Sequence, residues 1–272
     1  MKYTLHNHTY LCKHASGSVI DMVNEAVKQK FDVIGISDHI PYEEAETLYR
    51  MDYGEREQYL TEAQHIKKLY QHSKIKIYIG YEAEYQKKYL SYLIKLFQDK
   101  EIDYLILGQH YQDVTNLYTY YGRSTTLEQL RNYVDDCIAA FKTNLFWFIA
   151  HPDLVLMSFS TYTDEAVLKE CERLIRAAIE YDVYLEYNAG GVRNGYYHNL
   201  TQEDYLYPKV EFWQLVKKLN GKVVVNADAH SPQQINDAAY KLAQKQVKEL
   251  GLNLVEPNFE HYYKKIKVKY HF

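Results

Sequence analysis

Cysteine is scarce in this chain of 272 residues: Cys12, Cys137 and Cys171 are odd in number, far apart and in no C-x-x-C spacing. Such a set offers neither a disulfide framework nor a zinc ribbon, and a reducing, cytosolic setting is the expectation. Proline is scarce too, with five residues scattered along the sequence, and no Pro/Gly/Ser-rich stretch divides it, so a single domain over 1–272 is expected. No window reaches ~18 uninterrupted apolar residues, and the first eight residues lack an apolar core, so neither a membrane span nor a signal peptide is expected. A basic excess is also missing. With 32 Lys and Arg against 36 Asp and Glu the formal charge is -4, which argues against a nucleic-acid-binding surface. Hydrophobic residues at 47% and charged residues at 25% exclude a disordered, collagen-like or coiled-coil chain.

Tyrosine and histidine are abundant instead. The 30 tyrosines spread along the whole chain and read as compositional bias, whereas the 12 histidines are informative by position. Short β-branched or aromatic runs recur at 2–6, 32–37, 75–82, 103–108, 146–150, 183–188 and 222–227, with helical patterns between them. Over 18–30, Val19, Met22, Val23, Ala26 and Val27 fall at helical spacing behind a Ser18/Asp21 capping box. Over 126–142, Thr126 and Gln129 repeat the device ahead of Leu127, Leu130, Val134, Ile138 and Phe141. A third helix over 231–250 opens on Ser231-Pro232 and stops at Gly251. His65 and His72 read as solvated on a helical stretch over 57–72, and the Lys/Tyr-rich tail with His261 and His271 reads as surface. Strand then helix, repeated about seven times, implies a parallel α/β sheet, open or closed.

Chemistry decides between the two. His6, His8 and His14 follow the first strand, Asp38-His39 the second, and Glu82 ends the third with Glu84 two residues on. His110 follows the fourth, His151 the fifth, and Asp228 with His230 the seventh. Only a closed barrel brings all of those strand ends to one mouth; an open sheet strings them along an edge. Imidazole and carboxylate together form the ligand set of zinc, iron or manganese, not of calcium. His6, His8, His14, His39, Glu82, His110, His151, Asp228 and His230 exceed what one catalytic ion uses, so two or three divalent ions (Zn, Mn or Fe) are implied. Ions sharing a hydroxide suit in-line displacement at phosphorus, which makes phosphate-ester hydrolysis the leading chemistry and amide or ring hydrolysis its rival.

Other residues surround that set. Asp38 faces away from His39 and reads as orienting a ligand, while Cys12 reads as a small bystander. Strand six ends in Asn188–Arg193, read as a loop whose glycines let backbone approach a ligand and whose Arg193 clamps a phosphate. Arg123, in the long loop 111–125, is a second candidate for phosphate, and the loop 152–162 shapes the pocket. Glu84 and Asp153 are candidates to receive the ammonium of a cationic substrate.

These residues together resemble the polymerase-and-histidinol-phosphatase (PHP) superfamily over nearly the whole chain, through His6-Asn7-His8, Asp38-His39, His151-Pro152 and Asp228-Ala229-His230. Cys12-Lys13-His14, Ser37 through Pro41, Tyr59 through Tyr70 leading into Gly80-Tyr81-Glu82, and Asn188 through Arg193 are similar to its histidinol-phosphate phosphatase branch. The resemblance implies a distorted (β/α)7 barrel with a trinuclear centre at the C-terminal mouth of the strands. His6, His8, Glu82 and Asp228 would hold the first ion, Glu82, His110 and His151 the second, and His14, His39 and His230 the third. The implied activity is hydrolysis of L-histidinol phosphate in histidine biosynthesis, with Glu82, Asp228 and Arg193 as catalytic residues. Other superfamily members often carry an acidic residue where His14 stands, a departure that this branch shares. The runner-up is a PHP-type phosphoesterase acting on a nucleotide, oligonucleotide or phosphotyrosine, and a metal-stabilised structural module is the non-enzymatic alternative.

Overall fold

A computed structural model describes residues 1–45 and 49–271. Eight strands lie in one parallel sheet in chain order: β1 (Tyr3–Thr4), β2 (Val33–Ile36), β3 (Lys76–Ala83), β4 (Tyr104–Leu107), β5 (Phe146–Ile149), β6 (Tyr184–Asn188), β7 (Lys222–Asn226) and β8 (Asn253–Leu254). Helices cover the outside: α1 (Val19–Lys28), α2 (Arg56–Leu69), α3 (Leu90–Gln98), α4 (Leu127–Thr143), α5 (Glu165–Glu180), α6 (Ala189–Tyr197), α7 (Val210–Leu219), α8 (Ala238–Leu250) and α9 (Phe259–Tyr270). Parallel strands buried on both faces need no polar alternation, and β2, β4 and β5 are wholly buried. Both expected capping boxes form, Ser18 with Asp21 on α1 and Thr126 with Gln129 on α4. Among the described residues, no helix is long and apolar enough to cross a membrane.

Seven strands curl into the expected distorted barrel, with β8 continuing the sheet for two residues beyond β7. The seam between β1 and β7 has almost no backbone ladder. Leu5 N donates to Asn226 Oδ1 at 2.7 Å, Ala227 N donates to Thr4 Oγ1 at 3.0 Å, and His8 N donates to Ala229 O at 2.8 Å. Asn7 and Ala229 meet there in a single parallel bridge. Side chains thus satisfy backbone groups that a regular ladder would have paired.

Four expectations change. The segment after β6 is not a loop but the start of α6, capped by Asn188, whose Oδ1 accepts from Gly190 N and Gly191 N. The expected helix over 231–250 is split: Pro232–Asn236 forms a 3-10 turn, and Asp237 caps α8 before Gly251 closes it with φ +67°. The tail read as surface folds into α9 across the start of the central strands. There the Tyr262 hydroxyl donates to Leu145 O at 2.7 Å and accepts from Leu105 N at 3.1 Å, while its ring stacks on Trp147 at 5.1 Å. Tyrosine is also more than compositional bias, since buried hydroxyls of Tyr104, Tyr133 and Tyr240 bond the carbonyls of Leu5, Pro152 and Tyr3.

Tyr262→Phe keeps the stack but leaves Leu105 N and Leu145 O buried without a partner. A loss of about 1–3 kcal/mol is expected, read as a lower thermal midpoint with metal content unchanged; an unaltered midpoint would mean that α9 is not a structural floor.

Candidate metal centre

All nine expected ligands converge at the mouth. From β1, His6 and His8 bring their Nε2 atoms to 3.0 Å from each other. His110 and His151 meet at 3.3 Å through Nε2, as do His14 and His230 at 3.1 Å. Glu82, near the end of β3, sits between these groups with 1% exposure. Its Oε2 lies 3.0 Å from His39 Nδ1 and 3.3 Å from His6 Nε2, while its Oε1 lies 3.0 Å from His151 Nε2 and 3.4 Å from His110 Nε2. Asp228, after β7, approaches His8 Nε2 at 3.3 Å and His6 Nε2 at 3.5 Å. Its Oδ1 is buried with no hydrogen-bond donor among the described residues.

This donor set fits divalent cations. Two nitrogens bound to one ion at ~2.1 Å stand ~3.0–3.4 Å apart in octahedral or tetrahedral geometry, the spacing of all three imidazole pairs. A shared proton satisfies one such pair but not three of them beside an orphaned carboxylate oxygen. The outward nitrogens are pinned so that the inward ones keep their lone pairs. His6 Nδ1 donates to Glu186 at 2.9 Å, His110 Nδ1 faces Glu84 at 3.3 Å, and His14 Nδ1 donates to Cys12 O at 2.7 Å. Asp38 lies 3.7 Å from His8 Nδ1 and accepts from Thr9 N, the orienting place expected for it. Cys12 is buried beside His14 and His230.

Local backbone geometry serves the same end. His151 and Asp228 adopt φ of +31° and +44°, a left-handed corner that non-glycine residues hold only when the surroundings enforce it. Gly108 has no room for a Cβ, because Glu82's carboxylate occupies that place. Gly190 yields similarly to Asp228 Oδ2, which a Cβ would approach to 2.7 Å.

Charge is divided within the cluster. Burial opposes charge on His6, but Glu186, Asp228 and Glu82 outweigh it and hold its pKa well above the usual value. His8 is raised to about 9, burial being overcome by the nearby carboxylates of Asp228, Asp38 and Glu82. His230 falls to about 3 through burial and the neighbouring His8 charge, and His39 is depressed, chiefly by burial. Burial would raise Glu82 and Asp228, yet the surrounding imidazoles keep both well below the carboxylate range.

The outlying candidates behave differently. Arg193 does not line the cavity above the ligands: Nε donates to Asp237 at 2.7 Å, and the remaining donors reach the carbonyls of Ala227, Asp228 and Gln234. Its position on α6 turns it toward the 227–237 backbone, so it braces the Asp228 corner instead of clamping a phosphate. Glu84 is paired with buried Arg50 at 2.9 Å and with His110, which lowers it to about 2 despite burial. Asp153 is fully buried behind the wall, where it accepts from Lys209 N and Trp213 Nε1, and burial raises it to about 6. Neither carboxylate is free for an ammonium. Arg123 does line the cavity, whose volume is about 810 Å³, together with Tyr111, Tyr120, Tyr207 and Leu154.

Sequence reasoning missed Glu186, and named Asn188 without the part it plays behind the expected ligands. Glu186 accepts from His6 Nδ1, from Asn226 Nδ2 and from His151 N, while Asn188 Nδ2 donates to Glu186 and Asp228. Their signal was the Glu-Tyr-Asn alternation at the end of β6, which places two polar side chains on one face of a buried strand.

Glu186→Gln should weaken metal binding by about 10–100-fold with the fold retained, measured by metal titration and circular dichroism. Unchanged affinity would remove Glu186 from the site. Because His6 and His8 hold protons below their raised pKa values and only neutral imidazole ligates, metal uptake should release protons and tighten as pH rises toward about 9. Calorimetry of the metal-free protein at pH 7 in two buffers of different ionisation enthalpy reads this directly; equal heats would contradict it.

A PHP domain family model matches residues 4–190. A Schizosaccharomyces pombe protein named "Probable histidinol-phosphatase" is 23% identical over 93% of this chain and 88% of its own length. Among solved structures, a candidate histidinol phosphatase, hisK, from Listeria monocytogenes superposes with TM-score 0.68 at 22% identity, covering 88% of this chain and all but 1% of its own. Histidinol phosphate phosphatase from Lactococcus lactis, solved with zinc, L-histidinol and phosphate, gives TM-score 0.66 at 18% identity over 93% of this chain and 95% of its own. Since the family model spans well over half of the residues, and its reach includes every expected ligand up to His151, the chain belongs to the PHP domain family.

Proposed function

We propose that this chain is a metal-dependent phosphatase that hydrolyses L-histidinol phosphate to L-histidinol and phosphate. The observation that carries it is Glu82, whose two carboxylate oxygens each face a separate group of imidazoles, the placement of a bridge between neighbouring cations. The substrate follows from the relatives, one named a probable histidinol-phosphatase and another solved with L-histidinol and phosphate. In this reading two or three divalent ions are held as the family pattern divides them. His6, His8, Glu82 and Asp228 hold one, Glu82, His110 and His151 a second, and His14, His39 and His230 a third. Bound cations lower the pKa of water and offset the negative charge of a phosphoryl group.

The chain's own residues supply position and exclusion. Glu186, Glu84, Asp38 and Asn188 fix the ligands from behind, so little reorganisation is required when the ester arrives. Arg123 reaches the cavity and replaces Arg193 as the phosphate contact, through bidentate N–H donors. The tyrosine-rich wall of Tyr49, Tyr111 and Tyr120 offers ring faces to the imidazole of the substrate. The barrel encloses the whole ligand set, from residue 6 to residue 230, and works as one unit.

Protein reconstituted with zinc or manganese should show kcat/KM for L-histidinol phosphate several orders of magnitude above that for other phosphate monoesters and a phosphodiester, with loss on chelation. Preference for a nucleotide or a diester would keep the metal chemistry and overturn the substrate. Glu82→Ala should reduce the rate more than loss of any single histidine, because it serves two ions, whereas exposed His65→Ala should leave it unchanged; equal residual activities would refute the site.

A further inference from the structure

Most proton donors around the cavity are already committed. Glu84 is held by Arg50 and His110, Asp153 lies behind the wall under Lys209 N and Trp213 Nε1, and Arg193 faces the 227–237 backbone. Among the described residues that line the cavity, the carboxylates are Glu82, Glu84 and Asp228, and with Glu82 and Asp228 set among the imidazoles none is left to protonate the oxygen that leaves phosphorus. Tyr207 differs from these. It lines the cavity, its ring stands edge-on to His151 with centroids 5.9 Å apart, and among the described residues nothing bonds to its hydroxyl.

Its placement is rigid. A Cβ on Gly191 would collide with the Tyr207 ring and carbonyl, so the absent side chain is what lets the ring seat on the first turn of α6. Two residues further on, Lys209 N is anchored to Asp153 at 2.6 Å. The paired glycines of α6 therefore serve Asp228 and Tyr207, one each.

We infer that Tyr207 is a catalytic residue, its hydroxyl donating first a hydrogen bond and then a proton to the ester oxygen as it leaves. The inference rests on the phosphatase reading of the site. The P–O bond to the alcohol breaks with its electron pair kept on oxygen, and that oxygen takes the phenolic proton to give the free alcohol. Water adds its oxygen to phosphorus, and the proton it gives up is returned to the Tyr207 phenolate through solvent in the cavity. Burial raises the Tyr207 phenol above its ordinary value, so it is protonated at neutral pH and can donate to the strongly basic alkoxide as that oxygen leaves phosphorus. An aryl oxygen that is a weaker base than tyrosinate gains little from it. Tyr207 thereby suits the enzyme to phosphate monoesters of alkyl alcohols.

The test compares Tyr207→Phe with Tyr120→Phe, a tyrosine that lines the same cavity, in single-turnover assays on L-histidinol phosphate and on p-nitrophenyl phosphate. Metal content and thermal midpoint of each variant are measured alongside. Tyr207→Phe should slow the alkyl ester by about 10²–10³-fold and the aryl ester by less than about tenfold, with metal content unchanged. Equal losses on both esters, no loss on either, or a selective loss that follows Tyr120 instead would overturn the assignment. If the wild type ignores L-histidinol phosphate, glycerol phosphate takes its place as the alkyl probe. The alkyl-to-aryl contrast then still reads Tyr207 separately from the substrate proposal.

Discussion

Between β1 and β7 the barrel is closed by side chains. Thr4 and Asn226 supply side-chain bonds where a ladder would otherwise run, and the single Asn7–Ala229 bridge lies among the expected ligands themselves. This closure brings His6 and His8 against Asp228 and His230. Without it the remaining ligands on β2 to β5 would still face one another, but the carboxylate that shares His6 and His8 would be on the far edge of an open sheet. The irregular seam and the centre are one construction: a strand that ran on in regular hydrogen bonding would have spent on its neighbour the corner from which Asp228 turns inward.

Closing the barrel also buries charge. Glu82, Glu186 and Asp228 are 1%, 0% and 8% exposed. Removing a carboxylate from water costs several kcal/mol unless it is compensated, and here the compensation comes from imidazoles whose protonation those carboxylates raise. The outer ring of Glu186, Glu84 and Asp38 does not touch the place where cations would sit, yet it turns chosen nitrogens of His6, His110 and His8 inward. Arg50 then neutralises Glu84, and Arg193 ties down the Asp228 corner, so two arginines near the mouth act on the protein and not on a ligand.

The convergence of these side chains was legible in the sequence because parallel strands obey one rule. Every strand ends at the same mouth, and a histidine or acid just past a β-branched run announces itself without any knowledge of packing. His110 and Asp228 were found in that way, and Glu82 as the residue that ends its run. Arg193 was misread because a glycine-rich stretch after a strand looks like a loop; whether it starts a helix depends on Asn188 as the cap, and the direction of a long side chain depends on the helix. Glu186 was missed because it lies inside its apolar run and not, like Glu82, at the end of one. Asp153 and Glu84 were visible as acids, but their partners come from residues 56 and 34 positions away, which no local pattern contains. The tyrosines were undervalued for a similar reason, since a hydroxyl that ties one strand to a distant carbonyl leaves no periodic trace.

The seam has a consequence for how the protein is made. Leu5 and Asn226 are 221 residues apart, and no contact nearer in sequence substitutes for theirs. A chain emerging from the ribosome exposes His6, His8, His39, His110 and His151 long before Asp228 exists to meet them. Folding must hold these strands in waiting, since pairings so distant in sequence form slowly. A metal ion captured early would find imidazoles without the carboxylate that completes the set. Full occupancy of the centre is therefore a signal that the circle has closed, and metal availability during synthesis becomes part of the folding problem.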